Sequence, residues 1–145
     1  GWDVTAFSTS PDKEKEAEEM GAHHFVNSRD EEALEALGGQ FDFILVTVNA
    51  DLPWDLYANA LAPKGKLHLV GAADKIELSV FPLILAQRSI GGSPIGSPEV
   101  QRQMLDFCGR HNIVPLVDEF PMNQVNEAMQ FVADGKARYR AVLKR

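Results

Sequence analysis

The chain has 145 residues, a length typical of one domain. Hydrophobic residues make up 45% of it and charged residues 24%, as in ordinary globular proteins. The formal net charge of -7 argues against a nucleic acid or an anionic membrane surface as the partner. The single cysteine, Cys108, excludes an internal disulfide and a four-cysteine zinc site. No apolar run reaches the roughly 20 residues that span a bilayer, so the cytoplasm is the expected compartment.

Apolar, strand-like runs alternate with helical segments along the chain. FDFILVTV (41–48) and GKLHLVG (65–71) are nearly continuous apolar runs, typical of parallel strands covered on both faces. The alternation predicts an α/β fold with a doubly wound parallel sheet. We expect strands at 3–7, 23–26, 41–48, 65–71, 88–95, 113–120 and 139–144. We expect helices at 11–20, 31–37, 52–61, 98–110 and 124–134, with Ser10, Ser97 and Asn123 capping the first, fourth and last.

Three hydroxyl residues, Ser8, Thr9 and Ser10, follow the first strand and precede Lys13 by one turn. Capping of the next helix needs only one of these hydroxyls. In a dinucleotide-binding fold, an acidic residue at the end of the second strand binds the ribose and disfavours a 2′-phosphate. Hydroxyls and a lysine at this position instead suit the 2′-phosphate of NADP. Two interpretations stay open, a turn with a helix cap and a phosphate site.

The remaining motifs favour ordinary structural roles. The glycine pattern G-x-G-x-x-G does not occur, and the glycines of GGSPIG (91–96) suit a bend in an edge or interface strand. His23 and His24 are neighbours on a strand and point to opposite faces, so no metal site is expected there. Cys108 is expected to be a buried small hydrophobe, on a helix face that it shares with Val100, Met104 and Leu105.

The sequence resembles zinc-type medium-chain alcohol dehydrogenases, above all their branch of NADPH-dependent cinnamyl alcohol dehydrogenases and aldehyde reductases. The resemblance rests on five segments in chain order: VTAFSTSPDKEKEAEEMGAHHFVNSRD, FDFILVTVNA, LAPKGKLHLVGA, SIGGSPIGSPEVQRQMLDFCGRHNI and FPMNQVNEAMQFVADGKARYRAVLKR. It implies a Rossmann domain and hydride transfer between NADPH and an aldehyde or alcohol, with zinc polarising the carbonyl oxygen.

The resemblance also implies ten cofactor-binding residues. The 2′-phosphate of NADP is expected at Ser8, Thr9, Ser10 and Lys13. The resemblance places Thr47 and Val48 along the cofactor cleft and Gly71 near the nicotinamide ribose. It assigns the nicotinamide carboxamide to the main chain of Ser93, Pro94 and Ile95. The strand near 89–95 commonly pairs with its twin in this family, so a homodimer is expected.

The departures from the family pattern concern the start of the fold and the metal. The first strand, its glycine-rich turn and the zinc ligands of the family do not occur in this sequence. We therefore expect the C-terminal part of a longer enzyme, with residues 1–115 in an incomplete dinucleotide-binding domain and 116–145 in a tail that packs on a catalytic domain. No catalytic residue and no metal ligand is assigned, and the chain alone is expected to be inactive.

Two other functions stay open on the sequence. The 145 residues could serve as a non-catalytic nucleotide-binding or interaction module. A class I methyltransferase-like domain shares the fold class, but it would need an acidic residue where Ser8 stands. Without a central first strand, the strands at 3–7 and 41–48 would face a vacant slot. We therefore expect direct closure of these two strands, pairing with another chain, or poor folding.

Overall fold

The computed structural model describes residues 1–145, which divide into two compact units, 1–94 and 95–145. The first unit contains β1 (Thr5–Ser8), α1 (Glu14–Glu19), β2 (His24–Asn27), α2 (Glu31–Glu35), β3 (Phe41–Val46), α3 (Trp54–Ala60), β4 (Leu61–Leu69), α4 (Val80–Leu85) and β5 (Ser89–Gly92). The second unit contains α5 (Pro98–His111), β6 (Val117–Pro121), α6 (Val125–Ala133) and β7 (Arg140–Lys144). The predicted domain boundary near residue 115 concerns a longer protein and stays a prediction.

All strand pairs are parallel, which confirms the predicted parallel α/β class. β1 pairs with β2, β4 lies between β3 and β5, and β6 pairs with β7 in a sheet of its own. β1 and β3 share no hydrogen-bond ladder. The Phe7 ring instead contacts the rings of Phe41 and Tyr57, each with centroids 5.7 Å apart. The backbones of β1 and β3 therefore do not pair directly, and aromatic side chains provide contacts between this part of β1 and its neighbours. Pairing of the open strand edges with another chain stays a prediction.

The hydrophobic core lies on one face of the three-stranded sheet. Ile44 and Leu67 are register partners on β3 and β4, and both are buried. Trp54 and Tyr57 of α3 and Leu34 of α2 belong to the same buried cluster. Full burial of a side chain such as Leu67 contributes about 1.5–3 kcal/mol. This cluster fixes α2 and α3 on the sheet.

The opposite face of β3 is open, so the expectation of a strand covered on both faces is wrong. Phe43 and Leu45 are 39% and 51% exposed. Side chains alternate between the two faces of a strand, and α2 and α3 pack against the face that carries Ile44 and Val46. The apolar run therefore shows that β3 belongs to a parallel sheet, but it does not show which faces are covered.

The second unit buries little. Ala128 is its only buried hydrophobic residue, and Phe120 of β6 contacts Phe131 of α6 with ring centroids 5.4 Å apart. α5 has no buried residue. The prediction of a buried Cys108 is therefore wrong, since this residue is half-buried with its Sγ 3.7 Å from the Met104 Sδ. No helix in the chain is long and apolar enough to cross a bilayer.

Several helix boundaries differ from the sequence prediction. The Ser97 Oγ accepts a hydrogen bond from the Val100 N–H at 3.3 Å, which confirms this cap. Ser10 occupies a cap position without a side-chain bond. Asn123 lies in the 3-10 turn Met122–Gln124 and caps nothing, because α6 begins at Val125. The sequence prediction did not include α4. This helix contains Pro82, which is tolerated within the first turn because backbone N–H groups there have no helical partner.

Candidate functional site

The carboxyl ends of β3 and β4 approach each other closely at Gly71. The Gly71 N–H donates to the Val46 carbonyl oxygen at 3.1 Å. A Cβ atom on Gly71 would lie 2.3 Å from the Val48 carbonyl oxygen and 2.9 Å from the Thr47 carbonyl carbon. Real Cβ atoms do not approach so closely, so only glycine fits without a backbone shift. The structure thus brings together Thr47, Val48 and Gly71, which the sequence placed at neighbouring strand ends.

Asn49 is a residue of this edge that the sequence prediction missed. Its side-chain Oδ1 accepts a hydrogen bond from the Ala72 N–H at 2.6 Å and so joins the loops that follow β3 and β4. An open cleft of about 250 Å³ lies between these loops, lined by residues 49–51 and 72–75. The sequence offered one signal for Asn49, since its side-chain amide directly follows the predicted strand 41–48. Its hydrogen-bond partner Ala72, 23 positions later, could not be identified from the sequence.

A second cleft, of about 270 Å³, lies at the amino ends of β4 and β5 between residues 63–64 and 85–87. Lys64 is its only charged residue. Ligands of open parallel sheets bind outside the carboxyl ends of the strands. The cleft beside Asn49 is therefore the better candidate, although it is slightly smaller.

The three hydroxyl residues follow the carboxyl end of β1. The Ser8 Oγ accepts a hydrogen bond from the Ser10 N–H at 3.2 Å, which leaves the Ser8 hydroxyl proton free to donate. The Lys13 N–H donates to the Ser10 carbonyl oxygen at 3.1 Å, so a single turn carries the lysine and the hydroxyls. No carboxylate pairs with the Lys13 ammonium. This turn presents hydroxyl donors and a positive charge, and its role in binding stays a prediction.

The end of β2 adds a second cation next to this turn. The Ser28 N–H donates to the Ser8 carbonyl oxygen at 2.9 Å, which brings the two strand ends together. Arg29 follows directly and is exposed, and its guanidinium forms no ion pair. Sequence reasoning missed Arg29 because its proximity to Ser8 depends on the β1–β2 register.

Tyr57 links this end of β2 to the core. Burial raises the pKa of the Tyr57 hydroxyl, and a side-chain hydrogen bond with Ser28 opposes this shift. The tyrosine is therefore neutral at physiological pH and acts as a hydrogen-bonding group. The Tyr57 ring packs against the Phe7 ring of β1, with ring centroids 5.7 Å apart.

The third group of predicted site residues follows β5. The Ser93 N–H donates to the Leu69 carbonyl oxygen at 3.2 Å, so Ser93 lies at the same edge of the three-stranded sheet as Gly71. Pro94 is the last residue of the first unit. Ile95 opens the second unit and is 87% exposed. The structure therefore collects Thr47, Val48, Gly71 and Ser93 at one sheet edge.

The histidines do not form a metal site. The His23 Nδ1 accepts from the Val4 N–H at 3.1 Å, and the His24 Nε2 lies 3.3 Å from Asp3 Oδ2. No group of three or more His, Cys, Asp or Glu side chains in residues 1–145 is arranged to hold a metal ion. The residues present here therefore do not fit zinc.

The parallel strands, the βα connections and the polar carboxyl edge define a Rossmann-like domain of the medium-chain dehydrogenase type. The chain belongs to the zinc-binding dehydrogenase family, which matches residues 1–110. It is 46% identical over 144 residues to the aldehyde reductase AdhA of Synechocystis sp., covering 99% of this chain and 43% of that protein.

Solved structures agree with this assignment. A cinnamyl alcohol dehydrogenase from Sorghum bicolor superimposes with a TM-score of 0.85 and 32% identity, covering 97% of this chain and 40% of the other. The cinnamyl alcohol dehydrogenase from Helicobacter pylori, complexed with NADP(H), gives a TM-score of 0.77 and 30% identity over the same shares of the two chains. The chain spans about two fifths of the length of the relatives that it matches.

Proposed function

We propose that these residues form the NADP-binding part of a zinc-dependent alcohol dehydrogenase or aldehyde reductase, which transfers hydride between NADPH and an aldehyde. The observation that carries the proposal is the turn after β1. There Ser8, Thr9 and Lys13 offer hydroxyl donors and an unpaired ammonium group where NAD-specific domains carry a carboxylate. The solved structure of a relative, the enzyme from Helicobacter pylori complexed with NADP(H), supports the same cofactor.

The proposed roles follow from the positions of the residues. Ser8, Thr9, Ser10 and Lys13 would hold the 2′-phosphate by charge-assisted hydrogen bonds. Thr47, Val48 and Gly71 would lie along the middle of the cofactor, where the missing side chain of Gly71 lets two backbone segments meet. The main chain of residues 93–95 would contact the nicotinamide carboxamide. The nicotinamide carries the hydride, and the role of this chain is to orient it.

No residue of this chain is proposed as a catalytic group or as a zinc ligand. We expect the 145 residues alone to bind no stoichiometric zinc and to reduce no aldehyde. Elemental analysis and an NADPH-consumption assay test this expectation. One tightly bound zinc ion per chain, or clear turnover, would contradict it. The single free cysteine suits a reducing compartment, and we propose the cytoplasm.

We also propose a homodimer through β5. This strand lies at the edge of its sheet, so one side of its backbone has no strand partner. Such an edge is a template for pairing with another chain. Size-exclusion chromatography with light scattering should give twice the monomer mass. A monomer at tens of micromolar would contradict the dimer.

The cofactor proposal is tested by adding a charge to the turn after β1. The test uses the intact parent enzyme. Ser8→Asp places a carboxylate where the phosphate would bind, so the preference of the enzyme for NADPH over NADH should fall or reverse. Lys13→Ala removes a charge-assisted contact of about 1.5–3 kcal/mol, which lowers kcat/KM for NADPH roughly 10- to 150-fold. NADH kinetics should change little.

Asn126→Asp is the matched control for Ser8→Asp. It adds the same charge in the exposed first turn of α6, where an acidic residue suits the helix. The NADPH to NADH ratio should stay at the wild-type value. An unchanged ratio in Ser8→Asp, or a wild-type enzyme without preference for NADPH, would refute the proposed cofactor.

A further inference from the structure

One side-chain hydrogen bond ties β4 to the segment that follows β5. The His68 Nε2 lies 2.8 Å from the Ser93 Oγ. Ser93 is also held through its backbone, since its N–H donates to the Leu69 carbonyl oxygen at 3.2 Å. Ser93 is therefore fixed by two consecutive residues of β4, one through a side chain and one through the main chain.

Two residues of the neighbouring strands flank the half-buried His68 ring. The Phe43 ring on β3 stacks on the imidazole, with centroids 6.2 Å apart and an interplanar angle of 24°. On the other side, Gly91 is the register partner of His68 on β5 and has no side chain. A Cβ at Gly91 would lie 3.8 Å from the His68 Nδ1, an ordinary van der Waals distance, so the ring lies beside Gly91. The imidazole is therefore flanked by Phe43 and Gly91 and hydrogen-bonded to Ser93.

The bond to His68 uses only part of the hydrogen-bonding capacity of the Ser93 hydroxyl. A serine hydroxyl has one proton to donate and can accept from other donors. Its bond to the His68 Nε2 uses one of these functions and leaves the other for a ligand. The bond to His68 restrains the Ser93 side chain at the point where the chain leaves the sheet. No other side chain of the chain contacts the Ser93 hydroxyl within hydrogen-bond distance.

We propose that His68 is a positioning residue for the nicotinamide end of the cofactor, acting through Ser93. This inference rests on the proposed function, which assigns the carboxamide to the main chain of residues 93–95. His68 itself touches no part of the cofactor in this proposal. It keeps the peptide groups after β5 in the orientation that binds the carboxamide.

The test compares two ligands that share the phosphate end of the cofactor. NADPH contains the nicotinamide, and 2′,5′-ADP lacks it. In the intact parent enzyme, His68→Phe keeps a ring next to Phe43 but removes the hydrogen bond to Ser93. The dissociation constant of NADPH should rise about 3- to 10-fold, as expected for one hydrogen bond. The dissociation constant of 2′,5′-ADP should stay within about twofold of the wild-type value.

Two further variants separate positioning from general damage. His68→Gln can place an amide nitrogen near the Nε2 position, and it should restore NADPH binding to within about twofold. Ser93→Ala removes the other end of the bond and should reproduce the effect of His68→Phe. The double variant His68→Phe/Ser93→Ala should bind NADPH no more weakly than either single variant, because both remove the same interaction. Fluorescence titration measures all of these constants.

The possible results have distinct meanings. Equal losses for NADPH and 2′,5′-ADP in His68→Phe would overturn the inference, because a general structural defect weakens both ligands. Wild-type binding of NADPH by His68→Phe would also overturn it. A wild-type protein that binds neither ligand would instead refute the proposed function, and the inference would fall with it. Lys13→Ala, which should weaken both ligands, is the positive control.

Discussion

The two compact units of this chain have similar kinds of secondary structure but very different interiors. Nine of the ten buried hydrophobic residues lie in the first unit, and Ala128 alone lies in the second. The second unit nevertheless contains the longest helix, α5, and an amphipathic α6. An apolar helix face is therefore not evidence of a core. Burial of apolar side chains therefore contributes more to the stability of the first unit than to that of the second.

A leucine-to-alanine substitution in each unit tests whether the two units differ in the stability that buried side chains contribute. Leu67→Ala removes a side chain that is 1% exposed and should lower the free energy of unfolding by about 2–5 kcal/mol. Leu105→Ala removes a side chain that is 62% exposed and should change it by about 0.5 kcal/mol or less. Urea unfolding followed by tryptophan fluorescence and far-UV circular dichroism measures both. Equal losses would show that Leu105 is buried in solution.

Substitution of one glycine in each unit compares how closely the backbone is packed there. Gly71→Ala would place its Cβ against the Val48 carbonyl oxygen, so the strand ends must move, at a cost of about 1–3 kcal/mol. NADPH affinity should fall as well, because this edge lines the proposed cleft. Gly109→Ala in α5 meets no atom within 4 Å and should stabilise the helix by up to about 1 kcal/mol. Thermal unfolding and NADPH titration test the pair, and a stable, tightly binding Gly71→Ala variant would contradict the observed close approach.

Tyr57 gives the first unit a dependence on alkaline pH. Its pKa is raised by burial, so the folded state holds the proton more tightly than the unfolded state. Its contribution is fully present below the unfolded pKa of about 10 and is lost as the pH rises through the folded value. Tyr57→Phe should cost about 0.5–1.5 kcal/mol at pH 8 through loss of the bond to Ser28, and it should reduce the further loss at pH 11. Urea midpoints at the two pH values decide this, and an unchanged alkaline loss would exclude Tyr57 as its source.

The smallest effect on stability is expected for a substitution of Asp134, which lies in the second unit. Hydrogen bonds from Lys136, at 2.8 Å, and from Gln130, at 2.7 Å, lower the pKa of Asp134. A lowered pKa contributes stability above the unfolded value, and this stability is lost as the pH falls through the folded value. Because Asp134 is on the surface, solvent screens the interaction and Asp134→Asn should leave the melting temperature at pH 7 unchanged within error. A clear shift would show that this corner of the second unit is more ordered than its exposure indicates.

The sequence alone determined the secondary-structure alternation, the parallel class and the family. These features are local or nearly so. Apolar runs such as 41–48 indicate strands of a parallel sheet, and Ser97–Pro98 indicates a helix start, which the hydrogen bond from the Val100 N–H to the Ser97 Oγ confirms. The resemblance to the dehydrogenase family placed Thr47, Gly71 and Ser93 along one cofactor site, which agrees with the rule that parallel neighbours end at one edge of their sheet. The binding role of these residues stays a prediction.

Only the tertiary structure decided which side chains meet at that edge and which apolar faces are covered. The Asn49–Ala72 and His68–Ser93 hydrogen bonds join residues 23 and 25 positions apart, and they exist because β4 lies between β3 and β5. Whether Phe43 and Cys108 are buried depends on which helices pack on their faces, and the hydrophobic effect specifies no partner because it has no direction. Residue spacing records local periodicity, whereas strand register and helix packing are properties of the folded chain.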